Sequence, residues 1–240
     1  MNAPFDAATW GTVGQWAAAG GTLCAVVVAL FKDEYLRARR RPRLRVTAEL
    51  KLPHCHKTFL GPYEVQRTTL TTTSAPCYYL RLWIANRGKS RAENVQVFVA
   101  SVLQRAADGT FVALSSFLPM NLRWSHGRPD GSTEVFAEGI APGMGKHCDL
   151  LEIVHPDNRA ELNRDLPESP KDLVIGAVQV EVFPNTRTHL LTPGVYRLNL
   201  LAAAANARPM DTTVELTISG QWLDDEARMF VEGLGLKTVA

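Results

Sequence analysis

Twenty-five consecutive residues, Ala7 to Phe31, carry no charge, and seven basic side chains follow within the next fourteen positions. At about 1.5 Å of rise per residue, such a run outreaches the ~30 Å hydrocarbon core of a bilayer. A buried core helix would have to hide an entire uncharged circumference. A cleaved signal peptide carries its positive charge before the apolar run, whereas here the leader holds Asp6 and the basic residues come after. The reading is therefore a transmembrane helix over 7–31. Trp10 and Trp16 sit toward its N-terminal end, where indoles favour the membrane interface.

Lysine and arginine are retained on the cytoplasmic side. This predicts a short extracytoplasmic N-terminus over 1–6, a single span, a basic juxtamembrane helix or linker over 32–42 and a cytosolic domain over 43–240. Pro42 cannot extend a helix and biases Arg41 away from helical geometry. Lys32, Arg37, Arg39, Arg40 and Arg41 are the expected membrane-surface contacts, each contributing about 1 kcal/mol near an anionic leaflet. From Val46 to Ala240, 19 basic residues face 21 acidic ones. The folded part is near neutral, which argues against nucleic acid as a partner.

Small residues recur four apart along the span: Gly14 and Ala18, then Ala17, Gly21 and Ala25. Such stripes let helices approach closely in lipid. They predict a homo-oligomer formed through the transmembrane helix.

Beyond Pro42 the period changes to two. Leu44, Val46, Ala48 and Leu50 alternate with polar neighbours, as do Tyr78, Leu80, Leu82 and Ile84. Val95, Val97 and Val99 follow, then Val178, Val180 and Val182, then Tyr196, Leu198 and Leu200, and last Val214, Leu216 and Ile218. These read as half-buried strands joined by turns, with no long amphipathic helix between them. The fold class expected is all-β, an immunoglobulin-like β-sandwich. Residues 118–142 read as loop with short extended pieces, and 158–166 as a short helix. Leu223, Ala227, Phe230 and Leu234 fall on one helical face, predicting a short C-terminal helix ended by Gly233 or Gly235.

A reducing cytosol disfavours disulfides. A tetrahedral zinc could draw on Cys55, Cys77, Cys148 and His147, but the Cys-x2–4-Cys pair of standard zinc sites is missing. Cys55 follows Pro53 in an expected loop. The favoured reading is buried free thiols and no cofactor. "EGIAPGMGKHCD", Glu138 to Asp149, lacks the first glycine and the hydroxyl of a phosphate loop and reads as a turn. Adjacent carboxylates at Asp224, Asp225 and Glu226 do not converge on one helix face, and "HPD" (His155 to Asp157) is an isolated loop triplet. No catalytic residues are assigned and no enzyme is expected.

The single span together with "LFKDEYLRARRRPRL", "CYYLRLWIANRGKSRAENVQVFV", "FLPMNLRWSHG" and "TISGQW" resembles a recurrent class of uncharacterised bacterial single-pass membrane-anchored proteins. The resemblance implies a bacterial inner-membrane location; it carries no established activity and so transfers no catalytic residues. The piece Asn86-x-Gly88-x3-Ala92-x2-Val95 resembles the strand connector of bacterial adhesion-type β-sandwich modules, which bears on fold alone. The resulting expectation is a non-enzymatic binding or scaffolding module with the bilayer and a cytosolic protein as partners. The alternatives are an oligomerising membrane effector or sensor, for example in bacterial defence, and a metal-binding domain or hydrolase.

Overall fold

The computed structural model describes residues 7–65, 71–125 and 137–239. The chain divides into two compact units, 1–41 and 42–240. The first is one long helix, α1 (Ala7–Arg40). Its segment Gly11–Glu34 is long and apolar enough to cross a membrane, and none of it is buried.

The second unit is mostly β. Its strands are β1 (Leu44–Ala48), β2 (Cys55–Val65), β3 (Thr71–Asn86), β4 (Ala92–Arg105), β5 (Phe111–Ala113), β6 (Met120–Asn121) and β7 (Ala137–Ile140). There follow β8 (Gly145–Val154), β9 (Gly176–Val178), β10 (Leu190–Leu191), β11 (Gly194–Ala203), β12 (Met210–Ile218) and β13 (Leu234–Val239). One sheet runs β1-β3-β8-β9-β10, with β2 also paired to β3. The other runs β13-β12-β11-β4-β5, with β6 and β7 also paired to β4. All these pairings are antiparallel.

One hydrophobic core draws on both sheets. Tyr78, Leu80, Leu82 and Ile84 of β3 meet Val95, Val97 and Val99 of β4 and Leu198 and Leu200 of β11 in it. Period-two alternation puts these side chains on the inner faces. Each fully buried Leu, Ile or Val contributes roughly 1.5–3 kcal/mol. Val182 departs from its expected stripe: Val178 and Val180 are buried, but Val182 is exposed because the chain turns after Val180.

Two expectations need correction, and the short C-terminal helix is present with a different packed face. Cys55 opens β2, opposite Leu80, rather than lying in a loop. Residues 158–166 do not form a helix: a single 3-10 turn (Pro156–Asn158) gives way to irregular turns. At the C-terminus, α2 (Glu226–Arg228) continues as a π-helical turn (Met229–Gly233), and Leu234 starts β13. The wider turn buries Met229 and leaves Ala227 exposed, so the 4-3-4 spacing does not describe the packed face. A Cβ at Gly233 would meet Met229 Sδ, so a larger residue there requires the buried Met229 side chain to shift.

Asn86 organises the β3–β4 connector. It is fully buried, and its Oδ1 accepts from the backbone N–H of Gly88 at 2.9 Å and of Arg43 at 3.2 Å. Its Nδ2 donates to the carbonyls of Ser90 (2.7 Å) and Ile140 (2.9 Å). A buried amide with both ends satisfied specifies a loop that a half-satisfied one would destabilise. Ala92 and Val95 then enter the core.

Candidate functional site: an arginine-framed pocket

Leu122 and Trp124 are buried, and alternation turns Arg123 the other way. The strap 120–125 passes from β4 to the first sheet, where Arg123 N–H donates to Gln179 O at 3.0 Å and Asp149 N–H to Arg123 O at 2.9 Å. The polar stretch after β8 packs on that sheet's outer face. Leu162 covers Cys77 and Val154, and Leu166 covers Ile175, Ala177 and Leu190. Arg159, 2% exposed, pins the stretch by donating to Pro170 O (2.8 Å) and Lys171 O (3.1 Å) and pairing with Asp165 (3.3 Å).

This places Arg164 over Glu152. Arg164 Nε donates to Glu152 Oε1 at 3.3 Å, and Tyr79 Oη donates to Glu152 Oε2 at 3.0 Å. Glu152 is only 3% exposed, so both partners offset its lost hydration. Burial, then the nearby Glu152 carboxylate, push the Tyr79 hydroxyl well above its ordinary pKa.

The β9–β10 connector supplies the other wall. The guanidinium carbons of Arg123 and Arg164 each lie 4.3 Å from the Phe183 ring centroid, an arrangement that offsets the repulsion between two cations. Phe183 stacks on His189 at 4.8 Å and 28°. Arg187 donates from Nη1 to Asp165 O at 2.5 Å and from Nη2 to Asn163 Oδ1 at 3.2 Å. These groups enclose a pocket of about 170 Å³ lined by Asn163, Arg164, Phe183, Asn185, Arg187 and His189, with no carboxylate in its wall. His189 is 2% exposed and neither ring nitrogen has a hydrogen-bond partner. Burial first, then Arg164, Arg123 and Arg187, hold its pKa down to about 4. Burial and the neighbouring Arg164 also lower the pKa of Arg123. The site is a small recess lined by two arginines, two asparagines and a histidine, with no carboxylate among its lining residues.

The residues singled out from sequence are distributed differently. Cys55 and Cys148 lie in the main core, whereas Cys77 packs with Ala75 and Val154 on the opposite face of β3. The sheet thus separates Cys77 from the other two thiols. Burial raises all three thiol pKa values, Cys55 to about 11 and Cys77 to about 12. Cys55 Sγ donates to Glu49 O and Cys148 Sγ to Arg123 O, each at 3.2 Å. His147 points away from Cys148 and meets His54, whose Nδ1 lies 2.9 Å from His147 Nε2, beside Trp83. Among the described residues no group of three or more His, Cys, Asp or Glu is arranged to hold a metal ion.

Gly14, Ala17, Ala18, Gly21 and Ala25 are all exposed on α1, and nothing lies within 4 Å of a Cβ built on Gly14 or Gly21. Lys32, Arg40 and Arg41 are exposed; the side chains of Arg37 and Arg39 lie outside those described. Asp225 caps α2 by accepting from Arg228 N–H at 2.7 Å, while Asp224 pairs with Lys57 at 3.1 Å and Glu226 accepts from Lys57 N–H at 2.6 Å. His155 accepts from Asp157 N–H at 3.3 Å and packs edge-on against Trp222. These are caps and braces.

Sequence reasoning missed every residue of the pocket. Its arginines come from three separate irregular segments with no shared period, and the one local signal was the turn-rich string "FPNTRTH", Phe183 to His189. No protein-family model, no curated protein and no solved structure matches the chain.

Proposed function

We propose that the protein is a single-pass, membrane-anchored binding module, non-enzymatic, of the bacterial inner membrane, whose β-rich unit lies in the cytosol and docks a cytosolic partner. One observation carries this reading. A fully exposed apolar helix, Gly11–Glu34, runs directly into the basic segment that precedes β1, and basic flanks stay inside. The exposed basic residues serve as the surface contact with anionic lipid.

The immunoglobulin-like form of the sandwich has two supports. The neighbours β4, β11 and β12 follow the C-F-G order of that fold. Tyr196, near the start of β11 where the chain passes from one sheet to the other, donates its hydroxyl to Thr192 O at 2.9 Å, the bond of a tyrosine corner. The other sheet departs from the usual order: β9 and β10 extend it outward from β8.

An enzymatic reporter fused after Ala240 tests the anchor and its orientation. A cytosol-dependent reporter should be active and a periplasm-dependent one silent, with both in the membrane fraction. The reverse pattern, or a soluble fusion, would sink the reading. A second reading, an oligomerising effector or sensor, is favoured by the open faces of Gly14 and Gly21 on the same helix.

A further inference from the structure

We infer that the pocket between residues 163–164 and 183–189 binds a phosphate-type oxyanion, either free as phosphate or a small phosphomonoester, or carried on a lipid headgroup. This deepens the binding-module reading and rests on it.

Charge comes first. Arg164 and Arg187 line the recess and Arg123 stands behind Phe183, while no carboxylate enters the wall. The bonds that fix Arg187 go to neutral acceptors, Asp165 O and the Asn163 amide. Arg123 Nη2 likewise donates to Glu181 O at 3.0 Å, and its Nε is buried without a partner. Arg164 pairs with one carboxylate, Glu152, which it shares with Tyr79. The charges of Arg187 and Arg123 are therefore held in place by neutral acceptors, while Arg164 is partly offset by Glu152. A planar guanidinium fork is well matched to phosphate oxygens.

The second argument is the imidazole. A histidine this deeply buried normally finds partners for its nitrogens, yet His189 has none. It stays neutral beside three arginines, as the positive local field requires. An oxyanion in the recess reverses that field. The volume, about 170 Å³, suits a group of a few heavy atoms with several waters. Asn163 and Asn185 add amide donors at the rim. A fully apolar ligand would make no use of the guanidinium charge that lines the recess.

The test uses the full-length chain in nanodiscs, titrated with inorganic phosphate at constant ionic strength and followed by calorimetry. Saturable binding is expected in zwitterionic lipid. Arg187→Gln should weaken it roughly tenfold or more, the loss that follows removal of a charged hydrogen-bond partner. Asn185→Ala, at the exposed rim, is the second variant and should weaken it less. Arg105→Gln, on the other sheet, should leave it unchanged. Phosphate binding that persists in nanodiscs containing phosphatidic acid identifies a soluble ligand, and binding suppressed by that lipid identifies the headgroup. No saturable binding in zwitterionic lipid, or wild-type affinity in both pocket variants, overturns the proposal. The reporter fusion contains no ligand, so a failed titration leaves the anchoring result standing and a failed topology leaves the titration standing.

Discussion

Asn163 and Arg187 both have left-handed backbone, each at φ 57°, and they are hydrogen-bonded to each other through Arg187 Nη2 and Asn163 Oδ1 at 3.2 Å. Among the described residues only Asn94 shares this non-glycine conformation. Two loops distant in sequence therefore each hold a strained residue, and the strained residues meet at the pocket. Such strain persists where surrounding structure over-determines it.

Asn163→Ala should accordingly cost about 1–2 kcal/mol, combining left-handed strain with a lost hydrogen bond. Asn163→Gly should cost less, since glycine adopts that conformation freely. Urea unfolding followed by tryptophan fluorescence measures both. Equal losses for the two variants would show that backbone strain contributes nothing here.

His189 predicts a pH dependence. Its folded pKa, about 4, lies below the unfolded value near 6.5. The stability tied to the neutral ring is complete above about pH 6.5. As pH falls the unfolded chain binds a proton first, so stability drops between about 6.5 and 4, by about 3 kcal/mol in all. His189→Phe should flatten that slope while keeping the stack on Phe183. A slope that survives the substitution would assign the effect to other groups.

Glu152→Gln should destabilise the folded unit by about 3–5 kcal/mol. It leaves the largely covered Arg164, 13% exposed, without its charge partner. Glu215→Gln, whose partners Arg197 and Lys237 are more exposed, should cost about 1 kcal/mol or less. Comparing the two midpoints in urea is the measurement, and similar shifts would contradict the burial argument.

Cys148→Ser should cost a modest amount, roughly 1–3 kcal/mol, because a buried hydroxyl replaces the thiol but can keep the bond to Arg123 O. Complete loss of folding together with loss of bound zinc would mean that the thiol does more than pack.

Gly21→Leu should weaken self-association of the span by widening the helix contact. Crosslinking in lipid and sedimentation in detergent would read it, and an unchanged oligomer in both would discard the oligomerising reading of the stripe.

Much of the β-rich unit was legible because strands announce themselves by period: Tyr78, Leu80, Leu82 and Ile84, like Tyr196, Leu198 and Leu200, alternate and are buried as alternation requires. Cys55–Val65 was not, because Pro53 and mixed side chains gave β2 no clean alternation. The string Leu234–Val239 hid behind a helical spacing that a π turn interrupts. The pocket was illegible for a different reason. Arg123, Arg164 and His189 converge only because three irregular segments meet at one sheet face, and no local pattern encodes that meeting.

The Asn86 clamp also has a mechanical meaning. Tension travelling along the chain from the helix reaches the β-rich unit at Arg43, whose N–H is held by Asn86 Oδ1 and whose carbonyl accepts from Arg87 N–H at 2.7 Å. These two bonds take the load before the β1–β3 ladder that begins at Leu44 and Asn86. They sit where a strain relief would, like the grommet where a cable enters its housing: a pull applied through the residues before Arg43 would load these two bonds ahead of the sheet.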